Sequence, residues 1–259
     1  YRKEATNAMD DQVLRQLADR LEYLRGLEKR KGEVAATIEE LGAMTSELQK
    51  ALEAAKTLAE VEDIYRPYKP KRKTRASVAK ARGLDPLAQA IFAQKAGLDV
   101  NAEAAKYISD EVPDAEAALA GARDIIAEQV SDDAALRAQL RRFYQTFGLV
   151  KSRAAKEEDS VYAGYYDFSQ AVNKIAGHRV LALDRGEREG FLKVTVEVDA
   201  EKAVGGIRRM FVKAGGGPSA AQVSAAVEDA YTRLIHPSLE REVRSNLSEE
   251  AALGAIQVF

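Results

Sequence analysis

Only one stretch of this 259-residue chain alternates as a strand must. Leu192, Val194, Val196 and Val198 point one way, and Lys193, Thr195 and Glu197 the other. A lone strand leaves its backbone unpaired, so a partner is required. The expected partner is Ile207 to Val212, which would make a small antiparallel pair. Nearly everything else recurs at three and four residues, the period of an amphipathic helix. The predicted fold class is therefore mostly α: a multi-helical elongated bundle with a small antiparallel β element.

The helical stretches are bounded by residues with a physical reason to start or stop them. Leu14, Leu17, Leu21 and Leu24 form one apolar stripe, expected to pack inward, on a helix from Asp10-Asp11 to about Arg30. A second helix is predicted from Glu33 to Leu41, stopping at Gly42. Thr45 or Ser46 caps a third with Leu48 and Leu52 inward, and a fourth runs from Leu58 to Tyr65. It ends before Pro67 because the residue preceding a proline is pushed from the helical region. Ser77 to Arg82 and a helix opening at Asp85-Pro86 enclose Gly83, with Asp85 as cap. Asp114 to Val130 and Asp132 to Phe147 follow, with Ser131 as the cap between them. Lys151 to Gly177 reads as a loop with short helical turns, and His178 to Glu189 as a helix. Gly215-Gly216-Gly217-Pro218 reads as a flexible break. Ser219 and Gln222 suggest a capping box, Val223, Val227, Ala230 and Leu234 another stripe, and Pro237-Ser238 the start of a last helix. Two regions are expected, residues 1–150 and residues 151–259.

Composition excludes several functions. With no cysteine there is neither disulfide nor thiolate chemistry, which fits a reducing cytosol. No apolar run approaches the roughly 20 residues a membrane helix needs. The first residues, Tyr1-Arg2-Lys3-Glu4, carry no signal-peptide core, and the abrupt start suggests an excerpt of a longer protein. No membrane association is expected. No catalytic constellation is found. His178 and His236 lack an acid pattern that would pair them and are read as capping or packing residues. The triple glycine lacks the Lys-Ser/Thr of a phosphate loop. No catalytic residue, cofactor or metal ligand is assigned, and no enzyme activity is expected.

One segment resists a core role. "YRPYKPKRKTRASVAKAR", residues 65–82, lies within an acid-free run from Ile64 to Leu84, although formal charge over the whole chain is -2. It holds eight cations: Arg66, Lys69, Lys71, Arg72, Lys73, Arg75, Lys80 and Arg82. Carried on an extended, proline-containing stretch, they cannot be buried unpaired. Lysine and arginine bind phosphates, and Tyr65 and Tyr68 offer stacking faces. Tyr65 ends an amphipathic helix and is expected to pack inward. Equally, the segment could lace the surface and pair with neighbouring acids. Lys69, Lys71, Arg72, Lys73 and Arg75 are the candidate nucleic-acid-binding residues. "ASVAKARGLDPLAQAI", residues 76–91, adds the rhythm of a helix-turn-helix, but its second helix is poor in groove-reading side chains.

The run "EDIYRPYKPKRKTRASVAKARGLDPLA", residues 62–88, resembles the signature of the Tex family of bacterial transcription accessory proteins. The opening "YRKEATNAMDDQVLRQL", residues 111–141, residues 178–198 and "HPSLEREVRSNL" at 236–247 resemble further blocks of that family, in the expected order. The resemblance departs at Asn7-Ala8-Met9, where the family usually has glycines, and over Lys202 to Pro218. It implies the N-terminal helical portion of a longer protein, without the RNase-H-like, helix-hairpin-helix and OB-fold modules the family carries. It further implies a cytoplasmic, non-enzymatic scaffold in nucleic-acid transactions, with the transcription machinery as a further partner; the eight local cations predict that RNA or DNA is bound weakly and without sequence preference. The alternative is a protein-interaction module whose basic segment pairs internally.

Overall fold

The computed structural model describes residues 11–70, 73–156 and 158–256. The chain forms two compact units that divide between residues 71 and 72.

The first unit holds three helices among its described residues: α1 (Asp11–Glu40), α2 (Ser46–Ala54) and α3 (Leu58–Tyr65). No break interrupts α1 where one was expected after Arg30. The stripe that packs is Leu27, Val34 and Ile38, all buried, and it continues in phase across Gly32. An Arg30–Glu33 ion pair of 3.2 Å straddles that glycine, and a Lys31–Glu28 pair of 2.9 Å precedes it. The helix stops where predicted: Gly42 takes φ 64°, and the Ala43 N–H bonds back to the Ile38 carbonyl. The expectation that Leu17, Leu21 and Leu24 pack inward is not met, for they are 55%, 46% and 40% exposed. Thr45 caps α2 through the Leu48 N–H, and Thr57 with Glu60 forms a capping box on α3. Leu52, Ala55 and Val61 complete this core.

The second unit is organised around α7 (Ala115–Ser131). Packed on it are α4 (Arg75–Ala81), α5 (Asp85–Ala93), α6 (Val100–Ala105) and α11 (Gly217–Asp229). Gly121 explains the closeness of this packing. A Cβ there would stand 2.4 Å from Leu84 Cδ1 and 3.3 Å from Ala79 Cβ, so the α4–α5 turn can seat against the α7 backbone only at a glycine. Two cap assignments change. Asp85 is the first residue of α5 rather than its cap, and Asp133, not the buried Ser131, caps α8 (Ala134–Phe147) through the Leu136 N–H.

The sheet has three strands rather than two. β1 (Leu149–Ala154) pairs antiparallel with β2 (Asp167–Ala171) on one side and β3 (Leu192–Glu197) on the other. The alternation that identified β3 holds, with Leu192, Val194 and Val196 buried. Its predicted partner was wrong. Ile207 to Phe211 belongs to α10 (Ala200–Phe211), started by an Asp199 cap on the Lys202 N–H. There Ala203 and Ile207 are buried four residues apart, a helical interval. The predicted loop after Lys151 supplies β1 and β2 instead. β1 escaped notice because one of its two buried positions is a serine, Ser152, whose hydroxyl donates to the Tyr165 carbonyl at 2.5 Å.

After α9 (Gly177–Arg188), the closing helices show a register shift. A π-helical segment, Ala230–Ile235, joins α11 to α12 (His236–Ile256). The buried series therefore runs Val223, Val227, Ala230 and then Ile235, Leu239 and Val243, skipping the expected Leu234 by one residue. The wider turn falls just before Pro237, whose missing N–H cannot serve a regular helical bond. No side-chain capping bond forms at the start of α11, so the Ser219–Gln222 capping box is not observed. Ser219 is fully buried, and Gln222 accepts from Arg123 at 2.7 Å. No described helix is long and apolar enough to cross a membrane.

Candidate nucleic-acid interface

The basic segment spans the division between the two units, so its parts have separate supports. In the first unit, α3 ends at Tyr65. Arg66 keeps helical dihedrals, φ -50° and ψ -44°, contrary to the expected effect of the following proline. What ends the helix is the absent N–H of Pro67. The chain then turns rather than extends, with the Tyr68 and Lys69 N–H groups both donating to the Tyr65 carbonyl, 2.9 and 3.0 Å. Both tyrosines are partly buried against the first unit's core, as expected for Tyr65. Arg30 lies over the Tyr65 ring at 5.4 Å and donates to Glu62 at 2.6 Å. Tyr68 is thus occupied by packing. Lys69 is exposed.

In the second unit, Lys73 and Arg75 flank Thr74, which caps α4. The Thr74 hydroxyl accepts from the Ser77 N–H at 3.0 Å, and the Ser77 hydroxyl accepts from the Thr74 N–H at 2.8 Å. Ala76 and Ala79 turn toward α7, leaving Lys73, Arg75, Lys80 and Arg82 exposed. The first turn of α4 carries no acid, so Arg75 sits at the positive end of the helix with nothing local to offset it. Its field does reach Asp124. Burial holds that carboxyl above its ordinary range, and the charges of Arg233 and, further down, Arg75 oppose the shift. Among the described residues no carboxylate lies within ion-pairing distance of Lys69, Lys73 or Arg75. Lys71 and Arg72 lie outside the described residues.

The helix-turn-helix-like pair is a core element. Gly83, at φ 77°, closes α4, but α5 buries Leu87, Ala88 and Ile91 and exposes little beyond Pro86 and Gln89. His236 packs on Tyr144 and Tyr231, ring centroids 6.0 and 5.7 Å away, with the Tyr144 hydroxyl 2.5 Å from its Nδ1. Burial, then the Tyr231 hydrogen bond, pushes the Tyr144 hydroxyl far above its usual ionisation. Among the described residues no group of three or more His, Asp or Glu stands where it could hold a metal ion. Sequence reading passed over Arg142, Phe147 and Arg209, which line one groove in the second unit. The basic–aromatic run "RRFYQTF" closing α8 was the available signal.

These features define a mostly helical protein with a small antiparallel sheet and a cationic segment joining two units. Residues 95–259 match the Tex central region-like family and residues 1–39 the Tex-like protein N-terminal domain. The chain belongs to the Tex family. The uncharacterized protein YdcI of Bacillus subtilis is 40% identical, over all of this chain and 37% of the relative. Transcriptional accessory protein Tex of Neisseria gonorrhoeae is 38% identical, over all of this chain and 35% of the relative. A more distant relative, S1 RNA-binding domain-containing protein 1 of Homo sapiens, is 27% identical, over all of this chain and 28% of its own length. The chain thus spans little more than a third of the bacterial relatives.

Proposed function

We propose that this chain is a non-enzymatic, cytoplasmic helical scaffold that touches nucleic acid weakly and without sequence preference. The contact runs through the phosphates, along Lys69, Lys71, Arg72, Lys73 and Arg75. The observation that carries the reading is the exposure of Lys69, Lys73 and Arg75, with no described carboxylate in pairing range of any of them. An internal brace would consume these charges. The names of the relatives, a transcriptional accessory protein and an S1 RNA-binding domain-containing protein, agree with such a role. Components of the transcription machinery are the expected protein partners. Non-specific contacts of this kind have dissociation constants of about 10⁻⁴ to 10⁻⁶ M at physiological salt, and the weak end is expected from so few charges.

A second reading, a protein-interaction module, draws on the exposed stripe of Val13, Leu17, Leu21 and Leu24 along α1. Fluorescence anisotropy with a labelled DNA duplex separates the two. Replacing Lys69, Lys73 and Arg75 with glutamine should weaken binding while the circular dichroism spectrum stays unchanged. Loss of the fold in that variant would instead make the segment a brace, and unchanged binding would place the contact elsewhere.

A further inference from the structure

A groove of about 400 Å³ runs between α8 and α10, entirely within the second unit. Arg142, Phe143 and Phe147 line one wall, and Lys202, Gly206 and Arg209 the other. None of its ten lining residues is acidic. In a chain whose acids outnumber its bases, 41 to 39, that is a local excess of positive charge. Lys202 is 3.1 Å from Asp199 at the start of α10, where Glu201 is also exposed, so its charge is partly offset. Arg142 and Arg209 are exposed and make no ion pair among the described residues. Arg209 gives only its Nε, to the Gly205 carbonyl at 3.2 Å.

The aromatic component is equally specific. Phe147 is 64% exposed, the most open phenylalanine among the described residues. It is not adrift. It ends α8 one turn after Phe143, which packs on the core, and the two ring centroids are 5.2 Å apart. Phe143 holds one side of the ring, and much of the rest faces solvent. Across the groove Gly206 has nothing within 4 Å of where a Cβ would stand, so the wall opposite is open.

Cations alone would accept any polyanion, and an exposed ring alone any apolar group. Unpaired guanidinium groups beside an open aromatic face fit a ligand that alternates phosphates with accessible flat rings. A duplex hides the faces of its bases, and a single strand does not. We propose that the α8–α10 groove binds single-stranded nucleic acid, with a base stacked on Phe147 and phosphates against Arg142 and Arg209. This rests on the nucleic-acid reading above but uses a surface separate from the basic segment.

The test is anisotropy of the whole chain with a labelled single-stranded RNA or DNA oligonucleotide and with the matched duplex, over a salt series. Phe147→Ala should weaken single-strand binding about tenfold, the order expected for one lost base stack, with the salt slope unchanged and duplex binding unaffected. Arg142→Gln with Arg209→Gln should flatten the single-strand slope by about 1.4, at roughly 0.7 per phosphate released. Gly206→Leu, whose Cβ would have nothing within 4 Å and which suits a helix, should fill the groove and weaken the single strand while preserving thermal stability. Single-strand affinity unchanged in both Phe147→Ala and Gly206→Leu would overturn the proposal. So would heparin, a polyanion without bases, losing as much affinity as the oligonucleotide when Phe147 is removed. The Lys69, Lys73 and Arg75 glutamine variant is measured alongside. If it alone loses binding, the groove is wrong and the basic segment stands. If only the groove variants lose binding, the segment reading fails, and the groove is the contact.

Discussion

The Arg244 guanidinium on α12 donates to the Glu187 carboxylate on α9 at 2.7 Å, and its other arm donates to the Val194 carbonyl of β3 at 2.9 Å. Glu187 in turn accepts from the Val194 N–H at 3.1 Å. Two side chains from two helices thus take up both backbone groups of one residue on the outer edge of the sheet. Glu240 does the same for the Val196 N–H, at 3.1 Å. An edge strand presents unpaired groups that invite another strand, and here they are closed by side chains.

Removing Arg244 should therefore cost more than an exposed ion pair. Its side chain is 22% exposed, and it also reaches Asp184 at 3.2 Å. Arg244→Met leaves two carboxylates without their cationic partner, each keeping one other donor, and a strand carbonyl without its side-chain donor. A loss of about 2–4 kcal/mol in urea unfolding is expected, below the full value for a buried pair because solvent reaches the site. A loss under about 0.5 kcal/mol, the range of an exposed pair, would show that the edge closure contributes nothing.

The same pair sets a pH dependence. Burial is the largest influence on Glu187 and pushes its carboxyl up, but the Arg244 hydrogen bond, the Val194 N–H and the Arg244 charge together hold it below the usual range. A depressed carboxylate stabilises the fold above its unfolded value of about 4.3, and the benefit is lost as pH falls through the lower folded value. The stability difference between wild type and Glu187→Gln should be constant near neutrality and shrink below about pH 4.3. Asp124, raised chiefly by burial, has the opposite sign: protonation on acidification favours the folded state there. Urea midpoints between pH 7 and 3 check both, and a gap that widens on acidification would contradict the Glu187 assignment.

Gly121→Ala tests the seat of the α4–α5 turn. The new methyl would overlap Leu84, which is fully buried, so about 1–3 kcal/mol of destabilisation is expected from overpacking. Combining it with Leu84→Ala should cost less than the sum of the two, because the second change vacates the space the first needs. Strict additivity in thermal denaturation would show that the two residues do not compete for it.

How much of this was legible follows from what each residue reports locally. β3 was plain because three of its buried positions are apolar and alternate. β1 was hidden because Ser152 is buried through a hydrogen bond that no period reveals. Ile207 to Val212 was misread as a strand because its arginines break up the apolar residues; the Asp199 cap and the Ala203–Ile207 interval were the better guides. The α1 stripe misled in the other direction. Leu17, Leu21 and Leu24 have helical spacing, but spacing tells which residues share a face and not whether anything covers it. Of the candidate site, the cationic run was visible as composition. That Tyr68 is occupied by packing depended on the turn after Tyr65. The groove joins α8 to α10, and residues some 60 positions apart carry no shared local signal.

The salt dependence of duplex DNA affinity tests the central claim most directly, because a duplex offers phosphates but no open base face. If about three of the cations at Lys69, Lys71, Arg72, Lys73 and Arg75 meet phosphates, log affinity should fall against log salt with a slope near -3, at about 0.9 per phosphate. Glutamine at Lys69, Lys73 and Arg75 leaves at most two of these cations, so the slope should flatten to between zero and about -1.8, while the melting temperature stays within a degree or so of wild type, as expected for exposed side chains. A wild-type slope near zero, or a slope of about -3 that survives the three substitutions, would contradict a nucleic-acid contact through this segment.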